Sequence, residues 1–288
     1  MSALKIKDTL GSIEQNMKVL SPYRRPALFS QFLVKGYTAV TLSSVPEAKF
    51  SELLRAKVCL GTLITLYDDL ADRPTQQNPQ LLEVLYGLDF QRCDFAGHLN
   101  ADDRHIVSFA KSLFIEMNEI LMRQPHYQHL NEVLNFDLKQ FYSANQFSSL
   151  LTANPFINNS LENRLYAHHN MGMVMAAMMD LISIRDLNFA EFGAIREVLL
   201  MGQRMGRIFN VLSTRKREFI DGDITGELSI CRCEIEIAVA ERKLRNEIQE
   251  LHDRIYEFNT HITTFSIMAY LKGLTEVQVL HEKMEGII

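Results

Sequence analysis

Three carboxylates follow an apolar stretch in the segment Tyr67-Asp68-Asp69-Leu70-Ala71-Asp72. In a helix Asp68 and Asp72 share one face because they are four residues apart, whereas Asp69 points about 100° away. Acidic groups at a helix C-terminus oppose its dipole, and like charges one turn apart repel each other. A divalent cation with oxygen ligands would offset both effects, and Mg²⁺ prefers few carboxylates together with water or phosphate oxygens. The alternative is a solvated helix end beside Arg73.

A second set of oxygen-bearing side chains recurs every four residues at Asn210, Thr214 and Glu218. At 3.6 residues per turn the three lie along one helical stripe. An amide oxygen, a hydroxyl and a carboxylate together suit a hard cation that is also held by a phosphate ligand. Taken alone, the segment fits the polar face of an ordinary amphipathic helix better.

The elements that would position these groups are helices, because apolar residues recur at helical spacing through most of the chain. Ser44 and Glu47 form a capping-box pattern that predicts a helix start, and Arg73-Pro74 predicts the end of that helix after Asp72. Gly172 is predicted to mark a helix break or a close packing contact. Further helices are predicted at 79–88, 102–122, 130–151, 161–184, 189–219, 229–260 and 262–284.

Composition excludes several classes of protein. The chain has 13 Gly and 7 Pro in 288 residues, too few for a turn-rich β architecture, so we predict one all-α domain over 1–288. Thirty basic against 35 acidic residues disfavour a nucleic-acid binder. The apolar stretch 171–179 is far shorter than the roughly 20 residues of a membrane span. The polar N-terminus and the four cysteines, including Cys93 and the pair Cys231 and Cys233, indicate a reducing compartment, and we expect the cytoplasm.

The two oxygen-rich segments resemble the metal motifs of the bacterial-type class I terpene synthases, or terpene cyclases. That family carries a DDxxD motif and an (N,D)Dxx(S,T)xxxE motif on facing helices. Residues 68–72 are similar to the first motif, and Asn210, Thr214 and Glu218 occupy the ligand positions of the second. Bacterial members also carry a diphosphate-sensing arginine 46 residues before the Asn, and Arg164 stands at that position. The resemblance covers approximately residues 50–227.

Two departures accompany the resemblance. Val211 stands where the family usually has Asp, although that position is not one of the three ligands. The C-terminal Arg-Tyr pair that usually contacts the diphosphate is not found after Thr260. Another cation or a different closure of the site would have to replace that pair.

The resemblance implies a single class I terpenoid synthase-like helical bundle with a central apolar cavity. It also implies a Mg²⁺-dependent lyase that ionises farnesyl or geranylgeranyl diphosphate and cyclises the carbocation to a sesquiterpene or diterpene hydrocarbon or alcohol. Three Mg²⁺ ions are expected. The implied metal ligands are Asp68, Asp69, Asp72, Asn210, Thr214 and Glu218, although Asp69 is more suited to orienting Arg164. Arg164 and Arg217 are expected to bind the diphosphate. The implied catalytic residues are Asp68 and Arg164.

The cavity of such an enzyme would be lined by residues that precede the metal ligands and by aromatic rings. With no Trp in the chain, the rings must come from Phe and Tyr. The predicted lining residues are Ile64, Thr65, Phe141, Tyr142, Tyr166 and Gly206. Aromatic residues at helical spacing are also the usual content of a helical core.

Two alternatives to a cyclase stay open. A chain-elongating prenyl diphosphate synthase has the same helical fold but is expected to carry a second DDxxD, where this chain has the set Asn210, Thr214 and Glu218. A non-catalytic helical interaction protein would use its acidic cluster as a partner surface. Dimers are common in the resembled family, so a homodimer is a further expectation.

Overall fold

The computed structural model describes residues 2–72, 77–88 and 99–284, and within these ranges all regular structure is helical. The predicted stop at Arg73-Pro74 and Cys93 lie outside the described residues. The α-helices, in chain order, are α1 Ser2–Leu20, α2 Val34–Ala39, α3 Glu47–Asp72, α4 Pro79–Leu88, α5 Ala101–Leu121, α6 Tyr127–Ala153, α7 Ser160–Tyr166, α8 Met173–Ser183, α9 Phe192–Asp221, α10 Glu234–Glu257 and α11 Ile267–Lys283.

The predicted helix over 161–184 is broken in the structure. After α7 the chain tightens into a 3-10 segment, Ala167–Met171, and then passes through Gly172 at φ +63° before α8 begins. That backbone conformation is costly for any residue with a Cβ atom. The break predicted at Gly172 is confirmed.

The capping box predicted at Ser44 is wrong. Helix α3 does begin at Glu47, but the Ser44 hydroxyl donates to the backbone carbonyl of Thr264. Because the first helical residue is Glu47, Ser44 lies three residues before it and not at the N-cap position, and its hydroxyl instead bonds across 220 residues of sequence. This bond ties the start of α3 to the segment that precedes α11.

Helix α3 lies at the centre of the bundle, and every residue from Ala56 to Tyr67 is buried. It packs against α5, α6 and α8, whereas α9 packs against α8, α10 and α11. Helix α8 is buried on all sides, and its Asp180 pairs with Lys57 of α3 at 2.6 Å. The two helices that carry the predicted metal motifs thus both pack against α8.

The N-terminal segment closes one side of this core. Helix α1 packs on α3, and a π-helical turn at Leu28–Leu33 leads into α2, which contacts both α3 and α11. Among the described residues, no helix combines the length and the apolar character needed to cross a membrane.

Candidate active site

A cavity of about 390 Å³ opens between α3 and α9. Its charged lining residues are Arg24, Asp68, Asp72, Arg207, Arg217, Glu218 and Asp223. Its other lining residues are Leu28, Phe32, Leu33, Tyr37, Gly61, Ile64, Thr65, Asn170, Met171, Asn210 and Thr225. Along α3 the lining passes from Asp72 and Asp68 to Ile64 and Gly61 over about three helical turns, so the cavity is charged at one end and mostly apolar at the other.

The carboxylates of Asp68 and Asp72 both line this cavity, as expected for positions one turn apart. Asp68 Oδ1 is buried and accepts no hydrogen bond from the described residues. Burial raises the pKa of the Asp68 carboxyl to about 7, although the positive charge of Arg24 opposes the shift. Burial, followed by the negative charge of Asp223, raises the pKa of Asp72 well above its usual value. Burial therefore disfavours the ionised form of both carboxyl groups.

Asp69 points away from the cavity, and its carboxylate is already bonded. Arg24 donates to Oδ1 from Nη2 at 2.7 Å and from Nε at 3.0 Å, and the Ser21 hydroxyl donates to Oδ2 at 2.9 Å. The residue is only 1% exposed. This placement differs from its expected roles as a metal ligand and as the partner of Arg164, because the 100° rotation between adjacent helical residues turns it toward the N-terminal segment.

Arg164 does not line the cavity in the described part of the chain. Its side chain is 70% exposed, and Nη2 lies 3.5 Å from Oε1 of Glu247 on α10. The structure thus does not bring Arg164 to Asp69 or to Asp68. The catalytic and diphosphate-sensing roles of Arg164 stay predictions that depend on its sequence position.

The residues of the second predicted metal motif lie on α9. Asn210 and Glu218 line the cavity, as does Arg217. Thr214 is 1% exposed, and its hydroxyl oxygen lies 2.6 Å from Glu218 Oε1 and 2.8 Å from the Asn210 carbonyl oxygen. Burial, together with the charge of Asp223, raises the pKa of Glu218. The structure therefore brings Asp68, Asp72, Asn210 and Glu218 to one cavity, with Thr214 directly behind Glu218.

The sequence analysis did not predict three charged residues of the cavity, Arg24, Arg207 and Asp223. Arg207 is 8% exposed, donates from Nη2 to the Thr225 carbonyl at 3.2 Å, and has a buried Nε with no partner among the described residues. Its position three residues before Asn210, on the same helix face, was a usable signal. Asp223 comes directly after Gly222, whose φ of +70° ends α9, and nothing local in the sequence aims that residue at α3.

Of the predicted cavity walls, Ile64 and Thr65 line the cavity. Phe141 and Tyr142 instead pack beside Tyr67, at ring-centroid distances of 5.8 and 6.0 Å, in an aromatic cluster of the core. The same helical spacing places a ring on a cavity wall or in a packed core. The sequence pattern therefore could not distinguish these two positions for Phe141 and Tyr142.

The other two predicted wall residues also fall elsewhere. The Tyr166 ring packs on Phe147 at 5.1 Å, and the space over Gly206 is filled by the sulfur of Met173. Neither residue is among the described residues that line the cavity. The aromatic walls are Phe32 and Tyr37, which the N-terminal segment contributes.

The donor set fits a hard divalent cation. It comprises the carboxylates of Asp68, Asp72 and Glu218 and the amide of Asn210, and oxygen ligands of this type suit Mg²⁺. Asp68 Oδ1 is buried with no hydrogen-bond partner, which leaves a ligand position open. No group of three His, Cys, Asp or Glu side chains in the described ranges is close enough to hold a metal ion as it stands. Added ligands, such as water or phosphate oxygens, would have to complete the coordination.

No protein-family model and no curated protein matches the sequence, but solved structures match the fold. The fold is the all-α fold of the class I terpene synthases, as predicted. The chain is similar to isoprene synthase from grey poplar leaves (Populus x canescens), with a TM-score of 0.68 and 13% sequence identity over 96% of this chain and 52% of that one.

A second structure of that isoprene synthase, in complex with three Mg²⁺ ions and dimethylallyl-S-thiolodiphosphate, matches with a TM-score of 0.64 and 13% identity. It covers 94% of this chain and 54% of that chain. The chain thus spans about half the length of these neighbours. At this level of identity, the likeness establishes the fold and not the activity.

Proposed function

We propose that this protein is a Mg²⁺-dependent class I terpene synthase that ionises a linear prenyl diphosphate, cyclises the resulting carbocation and releases diphosphate. One observation carries the proposal. Carboxylate and amide oxygens of α3 and α9 line one cavity that also holds three guanidinium groups, and the remainder of its lining is largely apolar. Such a lining matches a substrate with an anionic head and a hydrocarbon tail.

The metal ions would be held by two helices. Asp68 and Asp72 would hold ions on α3, and Asn210, Thr214 and Glu218 would hold one on α9, in a set of three Mg²⁺. When bound, Mg²⁺ supplies positive charge to the diphosphate oxygens as the C–O bond breaks. The raised pKa values of Asp68 and Glu218 support this assignment, because carboxylates crowded in a buried cavity ionise fully only when a cation compensates them.

The arginines would bind the diphosphate by charge-assisted hydrogen bonds. Arg207 is best placed, since its buried Nε has no partner in the described chain and its charge faces the carboxylates of the cavity. Arg217 and Arg24 line the same end, although Arg24 also holds Asp69. For Arg164 to reach the substrate, it would have to leave Glu247.

The apolar end of the cavity would hold the hydrocarbon tail and exclude water from the carbocation. Phe32 and Tyr37 supply ring faces there, and an aromatic face stabilises a nearby cation by about 0.5–2 kcal/mol. Leu33 and Ile64 add saturated hydrocarbon surface that cannot react with the cation. Farnesyl and geranylgeranyl diphosphate are the proposed substrates, with a hydrocarbon or an alcohol as product.

The deciding experiment is incubation of the full chain with each linear prenyl diphosphate from five to twenty carbons, with and without Mg²⁺, followed by analysis of volatile and polar products. We expect Mg²⁺-dependent release of a hydrocarbon or alcohol together with diphosphate. A longer prenyl diphosphate, formed when isopentenyl diphosphate is added, would establish the elongating enzyme instead. Absence of Mg²⁺-dependent binding of every prenyl diphosphate would favour the non-catalytic interaction protein.

A further inference from the structure

Asp223 belongs to neither sequence motif, yet it lies at the cavity. The chain leaves α9 through the left-handed Gly222, and the Asp223 amide donates to the Glu218 carbonyl at 2.9 Å. This turn places Asp223 directly beyond Glu218. Among the described residues, the Asp223 side chain accepts hydrogen bonds at Oδ1, from the backbone amide of Thr225 at 2.8 Å and from its hydroxyl at 2.7 Å. The carboxylate is thereby oriented while Oδ2 keeps its capacity for another ligand.

Asp223 lines the same cavity as carboxylates of both motifs. Asp68 and Asp72 reach that cavity from α3, and Glu218 reaches it from α9. Four carboxylates around one cavity repel one another unless cations lie between them.

Two buried polar atoms of the cavity, one on Asp68 and one on Arg207, have no hydrogen-bond partner among the described residues. Counterions in bulk solvent would not satisfy them, so a ligand bound within the cavity is required. Asp68 Oδ1 accepts no hydrogen bond and Arg207 Nε makes none within the described ranges, although both side chains line the cavity. A buried acceptor or donor without a partner costs about 1–3 kcal/mol. The first group suits a cation and the second an anion, so the pair points to a metal–diphosphate complex bound against both.

We propose that Asp223 is a further metal-binding residue of this site, a carboxylate that links the α3 and α9 ligand sets from the turn after α9. The proposal rests on the proposed function only for the identity of the ions. Arg207 supports the same turn through its bond to the Thr225 carbonyl, so the group that would bind diphosphate also steadies the segment that carries Asp223.

The test measures metal binding rather than turnover. Mn²⁺ affinity of the full chain is determined by electron paramagnetic resonance and by calorimetry, with inorganic diphosphate present. Asp223→Asn keeps the size of the side chain and its acceptor for Thr225, so we expect it to fold. We expect Mn²⁺ affinity to fall at least about tenfold, because the loss of a group that only supports a metal ligand already lowers metal affinity by about 10- to 100-fold. Asp186→Asn, at an exposed position between α8 and α9, is the matched control and should bind as the wild type does.

Thermal unfolding separates metal binding from a structural role. Without metal, Asp223→Asn should be at least as stable as the wild type, because it removes one of four converging charges. With Mn²⁺ and diphosphate it should gain less stability than the wild type, since ligand stabilisation follows affinity. Unchanged Mn²⁺ affinity, or a large loss of stability in the metal-free variant, would overturn the inference.

The outcome is distinguishable from that of the proposed function. If no prenyl diphosphate is turned over but Asp223→Asn weakens Mn²⁺ binding, the ligand assignment stands and the terpene synthase proposal fails. If products form but Mn²⁺ affinity is the same in Asp223→Asn, the ligand assignment fails alone.

Discussion

Asp69 accepts hydrogen bonds from Nη2 and Nε of Arg24 at 2.7 and 3.0 Å, across 45 residues of sequence. This buried pair joins the N-terminal segment to the last turns of α3. Because Asp68 precedes Asp69 in the same helix, the pair fixes the rotation of α3 that turns Asp68 toward the cavity. Arg24 itself lines that cavity, so one guanidinium connects a structural ion pair with the candidate site.

Removing this guanidinium should destabilise the fold strongly. Arg24→Met removes the guanidinium that pairs with the buried Asp69 carboxylate, and we expect a loss of about 3–5 kcal/mol in the free energy of unfolding. Urea denaturation followed by circular dichroism measures it. Arg25→Met, next in sequence but exposed, is the control and should change stability by less than about 0.5 kcal/mol. Equal losses in the two variants would contradict the pairing.

Those parts of the site that depend on helical geometry alone could be predicted from the sequence. Asp68 and Asp72 share a face, Asp69 is turned aside, and Asn210 and Glu218 form a stripe, since 3.6 residues per turn fixes these relations locally. The break at Gly172 is also a local property. The all-α fold follows from the same periodicity.

The parts that depend on long-range packing could not be predicted. Phe32 and Tyr37 reach the cavity because the segment before α3 folds back onto it, and no local spacing indicates such a return. Phe141 and Tyr142 are spaced as well for a core as for a wall. Sequence position alone also does not show that Arg207 lines the cavity while Arg164 faces Glu247.

The apolar end of the cavity should be narrowed by a single methyl group at Gly61. A Cβ atom there would lie 2.7 Å from the Tyr37 hydroxyl oxygen and 3.0 Å from both Cδ atoms of Leu33. At these distances the two side chains must shift, and because both line the cavity, their shift changes its shape. For Gly61→Ala we expect a loss of about 1–3 kcal/mol in stability and a shift of turnover toward shorter prenyl diphosphates.

Competition assays with mixed prenyl diphosphates and urea denaturation measure the two effects. Gly11→Ala is the control, because a Cβ at that exposed position of α1 meets nothing within 4 Å and should raise helix stability slightly. Tyr37→Phe removes the closer contact, and in the Gly61→Ala background it should restore part of the stability. An unchanged chain-length preference in Gly61→Ala would show that this end of the cavity does not contact the tail.

The stability of the fold should fall on acidification partly through His281. Burial lowers the pKa of this imidazole to about 4, and its ring packs edge-on against Phe32 at 4.9 Å. The unfolded chain therefore binds a proton below about pH 6.5 that the folded chain does not bind until about pH 4. Stability contributed by the neutral ring is present above pH 6.5 and declines between these values, by up to about 3 kcal/mol.

Unfolding free energies of the wild type and of His281→Leu, measured between pH 4 and 7, check this prediction. The variant is expected to be less stable at pH 7 because packing is lost, yet its stability should depend less on pH. His105→Leu, at an exposed position on α5, should retain the wild-type pH dependence. Parallel pH profiles for the wild type and His281→Leu would refute the role of the buried ring.

Arg207 should contribute more to turnover than Arg164. The first is buried at the cavity with an unpartnered Nε, whereas the second is exposed and faces Glu247. A charge-assisted hydrogen bond is worth about 1.5–3 kcal/mol, so Arg207→Met should lower kcat/KM by about 10- to 100-fold. Arg207→Lys keeps the positive charge but loses the planar guanidinium, so its kcat/KM should lie between those of the wild type and Arg207→Met.

Arg164→Met is predicted to impair ionisation, but by a smaller factor than Arg207→Met. Steady-state rates with the best prenyl diphosphate, together with thermal unfolding of each variant, separate lost catalysis from lost folding. If Arg164→Met proved the more damaging of the two while both variants stayed folded, the substrate-bound enzyme would have to bring Arg164 from Glu247 to the diphosphate. The position of Arg164 in the sequence, rather than its place in this structure, would then define the sensor.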